Sequence, residues 1–102
     1  KLEGLKKTYY LSGQLTQQEN FSSGILVGES KWFSESGKVI RVFNYQNGEL
    51  HGPAKIYDVK GNIEMEGVYQ NDRRHGIWKF YKNGKFDKEK DFTRRSKSPY
   101  KK

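Results

Sequence analysis

The chain contains no cysteine, two histidines and only two prolines, of which Pro53 alone lies outside the C-terminal segment. Without thiols there is neither a disulfide nor a thiolate metal centre. Only 32% of the residues are hydrophobic, and no apolar run approaches the length of a membrane-spanning helix. No window of about ten residues combines helical spacing with capping residues, so no long helix is expected. Acidic residues are also few: 12 stand against 20 Lys and Arg, leaving a net charge of +8. That balance suits an anionic partner. Aromatics, by contrast, are plentiful, with seven Tyr, six Phe and two Trp, which argues for a folded domain over a disordered chain.

What the chain has in abundance is periodicity. Gly4, Gly28, Gly52 and Gly76 recur every 24 residues. Lys7, Lys31, Lys55 and Lys79 follow three places after each, and Tyr9, Phe33, Tyr57 and Tyr81 five places after. A second glycine follows at Gly13, Gly37 and Gly61, and one place early at Gly84. A further aromatic recurs at Phe21, Tyr45, Tyr69 and, allowing for that deletion, Phe92.

Each unit reads as a β-hairpin. In residues 52–75, a first strand over 53–57 leads into the turn Asp58-Val59-Lys60-Gly61 and a second strand over 62–70. Asn71-Asp72 then begins the turn to the next unit, as Ser23-Gly24 and Asn47-Gly48 do earlier. The expected fold is all-β: an elongated single-sheet antiparallel meander of four 24-residue hairpins and about eight strands. The units span about 4–27, 28–51, 52–75 and 76–93 within a region 1–93, followed by a basic flexible tail at 94–102. The start at Gly4 lacks a preceding strand, which leaves further upstream repeats open.

Alternation puts Trp78 and Phe80 on one face and Lys79 and Tyr81 on the other. It also groups Val39 with Phe43 and Tyr45, and Ile63 with Met65 and Tyr69. Equivalent aromatics are expected side by side as ladders across the sheet. The opening glycines are expected at tight turns, or where a ring covers the backbone.

Two segments, NGELHGPAKIYDVKGN and NDRRHGIWKFYKNGK, share a pattern of Asn-Gly or Asn-Asp, then glycine, then tyrosine and a closing glycine. On these residues the chain resembles MORN-repeat proteins, in particular the bacterial variant repeats often labelled a toxin–antitoxin-system antitoxin family. The resemblance covers about residues 4–92. It departs from the usual repeat, which begins Y-x-G-x-W/F; the nearest match is Gly67–Gly76. It implies scaffolding, partner binding and, in some members, lipid binding, while the antitoxin label implies little mechanism. A soluble bacterial protein is expected, its compartment open between cytoplasm and envelope or secretion, because a chain starting at Lys1 neither shows nor excludes a removed signal peptide.

Catalytic chemistry finds no support. His51 and His75 share a repeat position, but Val27 replaces them in the first unit and no third ligand accompanies them, a weak case for zinc. Glu64, Glu66 and Glu89 could pair as glycosidase carboxylates, but an open sheet offers no cleft between them. The serines lie in turns, and the glycines match neither the dinucleotide fingerprint nor the phosphate loop. No enzyme activity, cofactor or metal is therefore expected.

Two binding surfaces remain. One is aromatic, carried by Tyr9, Phe33, Tyr57 and Tyr81 with Trp78 and Phe80, and with Tyr45 and Tyr69 nearby. The other is a basic stripe of Lys7, Lys31, Lys55 and Lys79 alternating with those rings, of which Lys31, Lys55 and Lys79 are the binding candidates. The first reading is a non-catalytic scaffold for protein–protein interaction, with free sheet edges that could also join copies of the chain. The alternative is an anion-binding adaptor for phospholipid headgroups or nucleic acid through the basic surface and tail; nucleic acid is the weaker partner because no recognition module is present.

Overall fold

A computed structural model describes residues 1–93; the basic tail expected at 94–102 lies outside the described residues. Among the described residues ten strands run in chain order: β1 (Gly4–Tyr9), β2 (Leu15–Ser22), β3 (Ile25–Leu26), β4 (Gly28–Phe33), β5 (Val39–Gln46), β6 (Glu49–Leu50), β7 (Gly52–Tyr57), β8 (Ile63–Gln70), β9 (Arg73–Lys82) and β10 (Lys85–Asp91). They form one open antiparallel sheet in the order β1-β2-β4-β5-β7-β8-β9-β10, with β3 on β2 and β6 on β5. The molecule is a slab of 52 × 38 × 15 Å. Its thickness is that of a single sheet with side chains on both faces.

Turn chemistry sets the meander. Tyr10, Ser34 and Asp58 each accept a hydrogen bond from the glycine three places on, Gly13, Gly37 or Gly61. Those glycines hold φ of 95°, 90° and 94°, so each loop is a three-residue connection closed by a left-handed residue. In the last hairpin one residue is missing, and Asn83 (φ 52°) with Gly84 (φ 80°) makes a two-residue turn. Between units, Ser23-Gly24, Asn47-Gly48 and Asn71-Asp72 have both central φ angles positive. That is the turn type whose twist suits a tight hairpin and which favours Asn and Gly.

Successive units lock through these turns. The amides of Gly24, Gly48 and Asp72 donate to the carbonyls of Leu2, Leu26 and Leu50, at 2.8–2.9 Å. The Asp72 carboxylate accepts in return from the Leu50 amide at 2.7 Å, and Glu3 accepts from the Ser23 amide.

Where one unit meets the next, the ladder is uneven. Tyr45 pairs with Leu50 and Val42 with Lys55, so Phe43 and Asn44 on one strand face His51, Gly52, Pro53 and Ala54 on the other. Gly52 absorbs the mismatch at φ 102°. A Cβ there would meet only Asn44 Cβ at an ordinary 3.5 Å, and nothing lies within 4 Å of one at Gly4, Gly28 or Gly76. Backbone angle, not a covering ring, is what these four positions require. Asparagine bridges the gap: Asn44 Nδ2 donates to Pro53 O (2.9 Å), and its own carbonyl accepts from the His51 amide (2.9 Å). Asn20 repeats both bonds with Glu29 O and the Val27 amide. At the third junction Val68 replaces asparagine, and the Trp78 indole donates to Val68 O at 3.0 Å.

The core is thin: among the described residues, Ala54, Trp78 and Ser30 are the buried ones. Rings from non-equivalent positions carry the packing. Trp32–Phe43, Phe43–Tyr69, Tyr69–Trp78 and Trp78–Phe92 meet edge to face, with centroids 5.5, 5.8, 5.2 and 6.3 Å apart. The expected ladder of equivalent rings does not form. Equivalents sit on alternate strands, about 9.5 Å apart, with an intervening strand between them. Gly67 is the glycine that a ring does cover, since a Cβ there would lie 2.2 Å from Trp78 Cδ2.

Two substitutions test this packing in urea melts. Gly67→Ala must displace Trp78 and is expected to cost at least about 1–3 kcal/mol. Ser30 Oγ is buried without a hydrogen-bond partner among the described residues. Ser30→Ala, which copies Ala54 of the next unit, is therefore expected to stabilise by about 1 kcal/mol. A neutral Gly67→Ala or a destabilising Ser30→Ala contradicts the packing described.

Candidate functional site

Cross-strand register sorts the side chains into two faces. On one face a single row crosses the whole sheet: Lys7, Gln18, Lys31, Val42, Lys55, Glu66, Lys79 and Glu89, each paired with the next. Lysine thus occupies the first strand of every hairpin. Lys31 is half-buried and lies 3.6 Å from Glu29, a modest ion pair at that exposure. Lys55 and Lys79 flank Glu66, whose carboxylate is engaged by the Tyr81 hydroxyl at 2.5 Å.

Beside the lysines runs a second row. Each hairpin skips one residue near its turn, namely Thr16, Ile40, Glu64 and Asp87. The bulges bring Leu15, Val39, Ile63 and Phe86 opposite Tyr9, Phe33, Tyr57 and Tyr81. Strict alternation fails here: Val39 and Ile63 join the lysine face, away from Phe43, Tyr45, Met65 and Tyr69. A one-residue bulge reverses facing beyond it. Of these pairs, Tyr81 and Phe86 meet edge to face at 6.0 Å.

The opposite face carries the ring chain and its cations. Arg41 lies over Trp32 at 5.2 Å, and Arg74 lies between Trp78 (4.9 Å) and Phe92 (5.2 Å). Lys88 approaches Phe80 at 5.9 Å, and Lys90 approaches Phe92 at 5.3 Å. Each such contact is worth about 0.5–1 kcal/mol at an exposed site.

The nine residues expected to bind a partner therefore divide. Tyr9, Phe33, Tyr57, Tyr81, Lys31, Lys55 and Lys79 share the lysine face, whereas Trp78 and Phe80 lie on the other. Trp78 has no exposed surface; its ring packs on Gly67, Tyr69 and Phe92, so it offers nothing to a partner. Tyr45 and Tyr69 also belong to the Trp78 face, because Tyr69 stacks on that ring and Tyr45 sits two places from Phe43 on one strand. Asn20, Asn44 and Gly67 were not singled out by sequence reasoning. A signal existed for the asparagines, which are 24 residues apart.

The histidines are not gathered into a site. The His51 amide serves the Asn44 carbonyl, and His75 pairs with Val68. Among the described residues no group of three His, Asp or Glu could hold a metal, and no helix is long and apolar enough to cross a membrane.

Comparison with known proteins rests on this repeat. A family model described as a MORN repeat variant matches residues 2–23, 26–47 and 50–71, three windows set 24 residues apart. The chain belongs to the MORN-repeat variant family. MORN-repeat proteins are typically non-enzymatic scaffolds. The matched description names a repeat and no toxin–antitoxin role. No curated protein matches the chain, and no solved structure matches it.

Two phenols are perturbed. Donation to Glu66 raises the Tyr81 pKa above the ordinary value of 10.0, and burial, aided by the Glu19 and Asp72 carboxylates, raises that of Tyr45. For both, the folded-state value exceeds the unfolded one. Their stabilising contribution is complete below about pH 10 and is lost as pH rises through the raised value. An ultraviolet phenolate titration is expected to lose part of its highest-pH step in Tyr81→Phe and in Tyr45→Phe. An unchanged step in Tyr81→Phe contradicts the Glu66 bond.

Proposed function

We propose that this MORN-repeat protein is a non-catalytic scaffold that docks another protein on its lysine face. The proposed array comprises four hairpin units, the last at 76–93, with the basic segment 94–102 as an accessory. The observation that carries the reading is the row of lysines in register across an open sheet, with a parallel row of Tyr and Phe beside it. Rigid rings supply contact area at low entropic cost, while lysines supply charge complementarity and steering. The opposite face suits this role less, because its largest rings are already spent on one another and on arginines. Anion binding to lipid headgroups is the second reading; it draws on the same lysines and the net charge of +8.

A photo-crosslinking amino acid placed at Tyr57, and separately at Phe80, discriminates the faces. In native extract, the Tyr57 position is expected to capture one protein that survives high salt, and the Phe80 position is not. Capture from Phe80 alone contradicts the choice of face. Salt-sensitive recovery of lipid from Tyr57, without protein, moves the assignment to the second reading.

A further inference from the structure

The spacing of the lysine row specifies a ligand geometry, and the inference rests on the lysine face being the docking face. Lys7, Lys31 and Lys55 lie on alternate strands, separated by Gln18 and Val42. Neighbouring strands are about 4.7–4.9 Å apart, so these lysines repeat every 9.5 Å or so across the sheet. An extended β-strand ligand presents same-side residues about every 6.7 Å and falls out of step with them. A polyproline II helix advances about 3.1 Å per residue with three residues per turn, a period of about 9.3 Å. The two periods agree within about 5%.

The chemistry between the lysines suits the same ligand. A depression of ≈ 400 Å³ lies between Lys31 and Lys55, with Val39, Val42 and Tyr57 in its wall. Prolyl rings dock on aromatic and aliphatic surface of this kind, and a polyproline II segment loses little entropy on binding. Charge selects the rest. Lys7 and Lys31 flank the neutral Gln18, and Lys31 and Lys55 flank Val42. Lys55 has a glutamate on one side only, Glu66, whereas Lys79 has one on both sides, Glu66 and Glu89, so the most cationic stretch is the first three lysines. Glu29, 3.6 Å from Lys31, is the acidic group that a carboxylate arriving at Lys31 must displace, and Glu66, opposite Lys55, bounds the stretch on its far side.

We propose that the Lys7–Lys31–Lys55 row binds an acidic proline-rich segment of a partner protein, in polyproline II conformation, with a carboxylate at every third residue. The segment runs across the strands, its carboxylates over the lysines and its prolines over Val42 and Tyr57.

Fluorescence anisotropy on the full chain tests this with a labelled peptide of repeated Glu-Pro-Pro triplets. The comparison peptide has the same composition with its glutamates in one block. The triplet peptide is expected to bind about tenfold more tightly, an effect of about 1.4 kcal/mol. Lys31→Gln and Lys55→Gln should each weaken it by a similar factor, Lys88→Gln on the other face should not, and Glu29→Gln should tighten it. These side chains are at the surface, and circular dichroism of each variant confirms the sheet. Equal affinity for both peptides, still lost in Lys31→Gln and Lys55→Gln, overturns the period match and leaves the lysine face as the docking face. Affinity indifferent to both lysine substitutions overturns the ligand and the face together.

Discussion

The structure depends on one constraint: consecutive hairpins must meet in the same register although the strands at each junction are unequal in length. Two residues on one side oppose four on the other, as Phe43 and Asn44 oppose His51–Ala54. A left-handed glycine takes up the excess, and an L-residue held there would cost roughly 1–2 kcal/mol. The turn amides at Gly24, Gly48 and Asp72 fix the outer end of each junction on the preceding unit. Because a left-handed glycine and a turn amide serve every junction, whether asparagine or the Trp78 indole bridges it, equivalent side chains fall on the same face at a constant pitch. The lysine row is the consequence of that regularity.

Stability and recognition are thereby divided between the faces. A single sheet has no second layer to cover it, so one face makes a core out of rings that pack on their neighbours and on arginine. Size is matched across strands: buried Ser30 pairs with Phe43, and Gly67 leaves space for Trp78. The other face keeps smaller rings, lysines and shallow relief. It is the repeating surface of a neighbour-contact array, with periodicity as its main source of specificity.

Much of this was legible in the sequence, and the part that was not has a definite cause. The 24-residue period revealed the hairpins, and the strand expected at 62–70 is found at Ile63–Gln70. Period relates residues two strands apart, whereas contact is made between adjacent strands. Hence the Trp32–Phe43–Tyr69–Trp78–Phe92 chain, built from non-equivalent positions, did not emerge from aligning equivalents. The bulges at Ile40 and Glu64 reversed the facing of Val39 and Ile63, which simple alternation cannot register. Trp78 stands among the aromatic binding candidates in the sequence because alternation alone does not show which ring is covered; Gly67, eleven residues earlier in the chain, is what allows it to be buried.

The central claim is that the 24-residue unit is the unit of register. Deleting residues 28–51 tests it most directly, because Val27 then leads into Gly52 and the Asp72 amide meets Leu26 O in place of Leu50 O. Amide hydrogen exchange on that shortened chain should show Asp72 protected and the sheet retained, whereas deleting residues 28–39 should abolish protection in both flanking hairpins. Loss of protection at Asp72 in the full-unit deletion, or equal survival of the half-unit deletion, would contradict the account.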